Sequence, residues 1–146
     1  MKIQVYNSIS KVTARGKKEI VDFLFNHLDE FGDKWEDIER AVDYALNPNP
    51  AMGGSVLYIK ENDKIKGVVV MNKTRMKGYI PENTLVYIAV HSELRGQGVG
   101  KKLIKKAIQI TSGDIALHVE DNNPAKYLYK SVGFENPYLE MRYYNK

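Results

Sequence analysis

The run Arg95-Gly96-Gln97-Gly98-Val99-Gly100-Lys101 is the stretch of this chain whose residue types and spacing point most directly to chemistry. Its alternating glycines remove every other side chain, so backbone N–H groups can turn toward a ligand. A helix starting here adds its own unsatisfied N–H groups and the positive end of its dipole. Phosphate suits such a turn. A tight strand-to-helix turn that needs only positive φ would use the same glycines, and the turn alone leaves both readings open. A P-loop is excluded, because Arg95 stands where it needs glycine and Lys102 where it needs Ser or Thr. The dinucleotide fingerprint fits poorly: its third glycine would fall at Lys101, and it belongs to an early strand rather than a late one.

Other chemistries are closed off by composition. None of the 146 residues is cysteine, which removes thiolate nucleophiles, disulfides, iron–sulfur clusters and sulfur-based zinc sites. The histidines, His27, His91 and His118, share no ligand spacing, so no metal is expected. No apolar run approaches the roughly 20 residues of a membrane span, and Met1 to Ser10 lacks the apolar core of a secretion signal. A cytoplasmic protein without membrane attachment is the expectation. The formal net charge is +4; residues 95 to 113 hold five basic residues and no acidic one, leaving 17 basic against 18 acidic elsewhere. The surplus is therefore local to the glycine turn.

The elements that must position this turn can be read from hydrophobic period. Residues 16 to 31 place Ile20, Leu24, Leu28 and Phe31, flanked by Val21 and Phe25, on a helical stripe. A second helix is expected from Asp33, with Asp33 and Glu36 as a capping box and Trp35, Ile38, Val42 and Leu46 inward, until Pro48 and Pro50 stop it. Val56 to Ile59 and Ile65 to Met71 read as a hairpin. Leu85 to Val90 reads as a strand buried on both faces at the centre of the sheet. Residues 98 to 111 follow as a helix with its lysines toward water, then a strand at Ile115 to Val119. A helix capped by Asn123 and Pro124 and closed by Gly133 comes next, and a last strand at Tyr138 to Tyr144. With no repeat or linker, residues 1 to 146 are expected to form one domain of mixed α/β class.

Two blocks of this map carry a family resemblance. Ile88-Ala89-Val90 followed by Arg95 to Gly100 resembles the acyl-CoA signature of the Gcn5-related N-acetyltransferase (GNAT) superfamily: Gln or Arg, two residues, Gly, one residue, Gly or Ala. Leu117-His118-Val119, Asn123-Pro124-Ala125, Leu128-Tyr129 and Gly133-Phe134 resemble the strand, helix and Gly-Phe ending that follow it. Ser92 replaces a usual proline and Leu94 a usual aromatic; neither removes a ligand-binding N–H. The likeness spans roughly residues 56 to 144, and the order of the two blocks makes it specific.

What the resemblance implies is a mixed sheet, with helices on both faces, whose fourth and fifth strands splay apart to hold acetyl-CoA. The backbone of Ile88, Ala89 and Val90 would pair with the pantetheine arm. The N–H groups of Gln97, Gly98, Val99, Gly100 and Lys101 would cradle the pyrophosphate, with Arg95 and Gly96 at its entrance. Asn123 would contact the CoA arm, and Tyr129 would give its phenolic proton to the departing sulfur. Direct transfer to an amine acceptor needs no covalent enzyme intermediate, which suits a chain without cysteine. A backbone N–H, that of Val90, would hold the oxyanion. Glu82 and His118 are the two candidates for general base, with Tyr87 also nearby in sequence.

Three functions follow. One is an acetyl-CoA-dependent N-acetyltransferase, a transferase working through a ternary complex. Another is a non-catalytic acyl-CoA-binding or sensing domain that keeps the turn and lacks the acid and base. Nucleic-acid binding through the lysine-rich helix is the third, and the lack of aromatic residues among Lys101 to Lys106 argues against it. Tyr138, Tyr143 and Tyr144 on a terminal strand make a homodimer through a sheet edge a candidate.

Overall fold

A computed structural model describes residues 1–146, and its architecture is a five-stranded mixed sheet with helices on both faces. Strands β1 (Ile3–Asn7), β2 (Gly54–Glu61), β3 (Lys64–Lys73), β4 (Asn83–Val90) and β5 (Ile115–Ala116) lie in that order. All neighbours are antiparallel except β4 and β5, which run parallel. Helices α1 (Ala14–His27) and α2 (Trp35–Leu46) cover one face, and α3 (Val99–Ile110) and α4 (Ala125–Ser131) the other. The mixed α/β class expected from the sequence holds. No helix is long and apolar enough to cross a membrane.

Each face has its own core. Ile20, Val21, Phe23 and Leu24 of α1 and Ile38, Val42 and Ala45 of α2 pack on Val56, Val68, Val70, Tyr87 and Ala89. On the opposite face Val99, Leu103, Ile104 and Ala107 of α3, with Tyr129 of α4, pack on Leu57, Ile59, Val69, Met71 and Leu85. These are the i, i+3, i+4 positions of amphipathic helices set on the alternate positions of strands.

The strand leading to the glycine turn departs from simple alternation. Val70 pairs with Tyr87, but Met71 pairs with Leu85, so Val86 is an extra residue in β4. This bulge lets Leu85 and Tyr87 face opposite sides of the sheet despite their equal parity. It also bends the strand. Pairing with β5 stops at Thr84–Ala116, the residue pair just before the bulge, and Leu85 to Val90 have no strand beside them on that side. A wedge opens there.

The joined end of the wedge is clamped by Asn83, buried at 3% exposure. Its Nδ2 donates to the carbonyls of Ser112 (2.7 Å) and Asp114 (3.2 Å), tying the turn before β5 to the start of β4. Replacing Asn83 with Ala removes both bonds and strands the Ser112 carbonyl, and we expect a loss of about 2 kcal/mol in denaturant unfolding.

Several sequence expectations require correction. Strand β1 is an addition to the expected elements: with Ile3, Tyr6 and Asn7 half-buried and Gln4 and Val5 exposed, its short run has no regular alternation to announce it. Helix α1 starts earlier, at Ala14, because the Thr13 hydroxyl accepts from the Gly16 N–H. It also ends earlier, with Asp29–Phe31 a separate 3-10 turn and Phe25 exposed. Helix α2 has no capping box: Lys34 precedes it, and the Asp33 carboxylate instead accepts from the Tyr87 hydroxyl at 2.5 Å. Strand β3, not β4, is central, and β4 is only half-covered at Ile88 and Val90 because the wedge exposes them. Strand β5 is two residues rather than five, and Tyr138 to Tyr144 form no strand. Helix α3 ends one residue earlier than expected, with its last residue Ile110 exposed at 41%.

Candidate functional site

The chain leaves β4 at Val90, makes a short 3-10 turn at Ser92–Leu94, and passes through Arg95 to Gly98 into α3. Gly96 (φ 77°) and Gly98 (φ 79°) take left-handed conformations, and a side chain at either would meet nothing within 4 Å. The glycines therefore serve the curl of the backbone, and the space above them is open. The N–H groups of residues 96–101 donate to no backbone acceptor; the first bond of the new helix runs from Lys102 to the Gly98 carbonyl. An ordinary helix start leaves four N–H groups free. Here six consecutive ones curve around an open space at the positive end of α3, which is the geometry of an anion cradle. Lys101, Lys102, Lys105 and Lys106 form no ion pair, so their charge is uncompensated along the same helix.

Two side chains of the turn are engaged within the protein. The Gln97 side chain folds back to donate to the Glu93 carbonyl (2.9 Å). Arg95 spends its guanidinium on protein: Nε donates to the Val90 carbonyl (3.1 Å), and Nη2 donates to the His27 carbonyl (3.2 Å) and pairs with the Asp29 carboxylate (3.2 Å). Arg95 thus fastens the turn to the end of α1.

Along β4, His91 N–H donates to the Lys66 carbonyl (2.8 Å). Alternation along an antiparallel ladder then aims Ala89 at Val68 and turns the N–H and C=O groups of Ile88 and the N–H of Val90 into the wedge, the Val90 carbonyl being taken by Arg95. Of the three backbone residues expected to pair with a ligand, Ile88 turns both polar groups into the wedge, Val90 its N–H alone, and Ala89 neither.

The α4 side of the wedge brings Tyr129, 8% exposed. Its ring meets Phe134 edge-on at 6.0 Å, and the Phe134 N–H returns to the Tyr129 carbonyl (3.0 Å) across Gly133. No hydrogen bond within the protein involves its hydroxyl. Burial alone pushes this phenol up to about 12, so it is protonated throughout the neutral range. Asn123 Oδ1 accepts from the Ala125 N–H (2.9 Å), so its side chain caps α4.

The two base candidates lie away from the glycine turn. Glu82 precedes β4, its carboxylate against Gly113 in the turn between α3 and β5, a whole strand of roughly 25 Å from the glycine turn. His118 is exposed, two residues past the end of β5. Two surface clefts, of about 530 and 350 Å³, are lined by α1, α2 and neighbouring loops and include no residue of the turn or of α4.

Sequence reading missed a histidine pair behind Arg95. The His27 ring stacks on Phe23 (4.3 Å) and lies 4.7 Å from His91. Burial, then His91 and Arg95, hold the His27 pKa below its usual 6.5, opposed by Asp29. The folded chain thus resists a proton that the unfolded chain accepts, so this contribution to stability is complete above pH 6.5 and is lost as pH falls below it. A His27→Gln variant should show a shallower fall in Tm than the parent between pH 7 and 5.

Comparison with known proteins fits this geometry. Residues 53–136, more than half of the chain, match the acetyltransferase (GNAT) domain family. The N-alpha-acetyltransferase RimI of Mycobacterium tuberculosis is 37% identical over 59 residues, 39% of this chain and 37% of that protein. The ribosomal protein bS18 alanine N-acetyltransferase of Haemophilus influenzae is 31% identical over 94 residues, 62% of this chain and 61% of that one. The matched stretches cover less than two thirds of these relatives. Among solved structures, a GNAT-family acetyltransferase from Streptococcus pneumoniae superposes with a TM-score of 0.66 at 17% identity, covering 99% of each chain. An aminoglycoside N-acetyltransferase in complex with CoA does so with a TM-score of 0.67 at 13% identity, over 99% of this chain and 95% of that one. Matched to the family over residues 53–136, more than half of its length, the chain belongs to the GNAT acetyltransferases.

Proposed function

We propose that residues 1–146 act as a single acetyl-CoA-dependent N-acetyltransferase domain, moving the acetyl group directly to a primary amine within a ternary complex. The observation that carries this reading is the row of six unpartnered N–H groups at 96–101, placed at the mouth of a wedge whose wall exposes the backbone of Ile88 and Val90. A pyrophosphate needs donors and a pantetheine arm needs amide partners, and the wedge offers the two in that order. In this reading Val90 N–H holds the oxyanion, Asn123 meets the CoA arm beside its capping role, and Tyr129 protonates the thiolate.

The acceptor is argued from the missing base. With the Glu82 carboxylate against Gly113 and His118 exposed past the end of β5, no base is assigned, and an amine already partly neutral needs none. An α-amine, of pKa about 7.7 to 8.0, meets that condition where a lysine side chain does not. Likeness to an enzyme named an N-alpha-acetyltransferase and to one named a ribosomal protein bS18 alanine N-acetyltransferase supports the same choice. A panel of alanine-starting peptides, lysine, polyamines and aminoglycosides, assayed with acetyl-CoA, tests it. Acetylation of the peptide α-amine at the highest kcat/KM is expected; turnover of polyamines or aminoglycosides alone would refute the acceptor, and no turnover of any amine would favour the acyl-CoA-sensing alternative.

A further inference from the structure

Residues 28–34, which join α1 to α2, are bound to β4 and to its turn at two points. At one end a single guanidinium, that of Arg95, is shared by the Asp29 carboxylate (3.2 Å), the His27 carbonyl (3.2 Å) and the Val90 carbonyl (3.1 Å). The reach of one planar guanidinium puts the Asp29 carboxylate within about 9 Å of the Val90 carbonyl, at the edge of the wedge. At the other end the Tyr87 hydroxyl, on a side chain only 9% exposed, donates to the Asp33 carboxylate at 2.5 Å. The segment therefore runs beside β4 from Val90 back to Tyr87, on the face of α1 and α2, whereas Tyr129 lies on the opposite face. Asp29 and Arg95 are each about half-exposed, and an ion pair so exposed adds little to stability. It nevertheless holds Asp29 at φ 56°, a left-handed conformation uncommon for a residue other than glycine. What this contact does is fix a place.

We propose that Arg95 and Tyr87 are positioning residues for the acceptor amine: through Asp29 and Asp33 they fix residues 28–34 in register with the open edge of β4, so that the donor's turn and the border crossed by the amine form one piece. The proposal rests on the acetyltransferase reading above. In that reading the thioester carbonyl lies at the Val90 N–H and its sulfur toward Tyr129, so α4 closes one face. The approach left to an amine is from the face that residues 28–34 border. The donor is held by backbone N–H groups at 96–101, and neither Asp29 nor Tyr87 touches them. Loosening the border therefore weakens the acceptor in ground and transition state alike, and the effect falls on the acceptor KM rather than on kcat or on acetyl-CoA affinity.

The test compares the parent with Asp29→Asn, Tyr87→Phe and Glu30→Gln. The substrate is whichever amine the parent acetylates best among alanine-starting peptides, lysine, polyamines and aminoglycosides, and acetyl-CoA binding is measured by calorimetry on the same samples. Asparagine tolerates the left-handed backbone of Asp29, and Tyr87→Phe changes no charge. Each of these two variants should raise the acceptor KM about five- to tenfold, with kcat and the acetyl-CoA Kd within about twofold of the parent. Glu30→Gln removes a charge from the same exposed stretch without touching Arg95 or Tyr87, and should leave the KM unchanged. An unchanged Tm shows that the variants fold, and Asp29→Asn, at an exposed residue, carries the test even if Tyr87→Phe is less stable. An unchanged KM in both contact variants, an equal rise in Glu30→Gln, or a parallel loss of acetyl-CoA affinity would overturn the proposal and leave the acetyltransferase reading standing. A parent that acetylates no amine would overturn both.

Discussion

A Tyr129→Phe variant is expected to bind acetyl-CoA within about twofold of the parent while its kcat falls by about 10² to 10³, the range of a lost general acid. The separation between the two readouts is what makes the variant informative. The hydroxyl makes no hydrogen bond within the protein and sits in a site where burial alone holds it protonated. Its removal leaves no partner unsatisfied, so the fold should be as stable as before or slightly more so. A core tyrosine kept only for packing would tolerate phenylalanine with turnover intact. Single-turnover rates and calorimetric acetyl-CoA binding, measured on the same sample, distinguish the two. Undiminished turnover would remove Tyr129 from the chemistry.

The largest expected loss of stability comes from Gly54→Ala. A Cβ at this position would stand 1.9 Å from the Met71 carbonyl oxygen and 3.0 Å from the Asn72 Cα, both backbone atoms of the neighbouring strand. No rotamer relieves such an overlap, because Cβ is fixed by the backbone itself. Strands β2 and β3 must part at the end where Gly54 pairs with Asn72, and the adjacent Ser55, which also pairs with Asn7 of β1, moves with them. A cost of at least about 3 kcal/mol follows, or a fall of about 10 °C in Tm for a domain of this size, read by circular dichroism. A shift of only a degree or two would mean that β2 and β3 approach less closely than described.

How much of this was legible in the residues differs by element. The α3 stripe and the β2–β3 hairpin could be read because their periods are long and their punctuation clear; Asn62 (φ 53°) and Asp63 (φ 62°) make the paired left-handed turn that their residue types favour. The glycine turn was legible for a related reason, since glycine at alternate positions has few other uses. Helix α2 was misread at its start because Asp33 had a stronger partner, Tyr87, 54 residues away, and no local pattern reports such a competitor. The bulge at Val86 was invisible for the same reason: an extra residue in a strand is defined by its neighbour, not by its own side chain. Nothing in the sequence around Asn83 sets it apart, yet it is the clamp that ties the turn before β5 to the start of β4. The side chain of Arg95, placed by the resemblance at the entrance to the turn, is held by Asp29 and by the carbonyls of His27 and Val90, contacts that exist only once α1 and β4 are packed.

Calorimetric and thermal titration with acetyl-CoA tests the central claim most directly. One molecule should bind per chain and raise Tm by about 5 to 10 °C at a ligand concentration about 100-fold above Kd. Binding should weaken when Gly98→Ala places a methyl group in the space above the turn. Absence of both heat and thermal shift at millimolar acetyl-CoA, in a chain that folds normally, would contradict the account of the wedge and of the turn at its mouth.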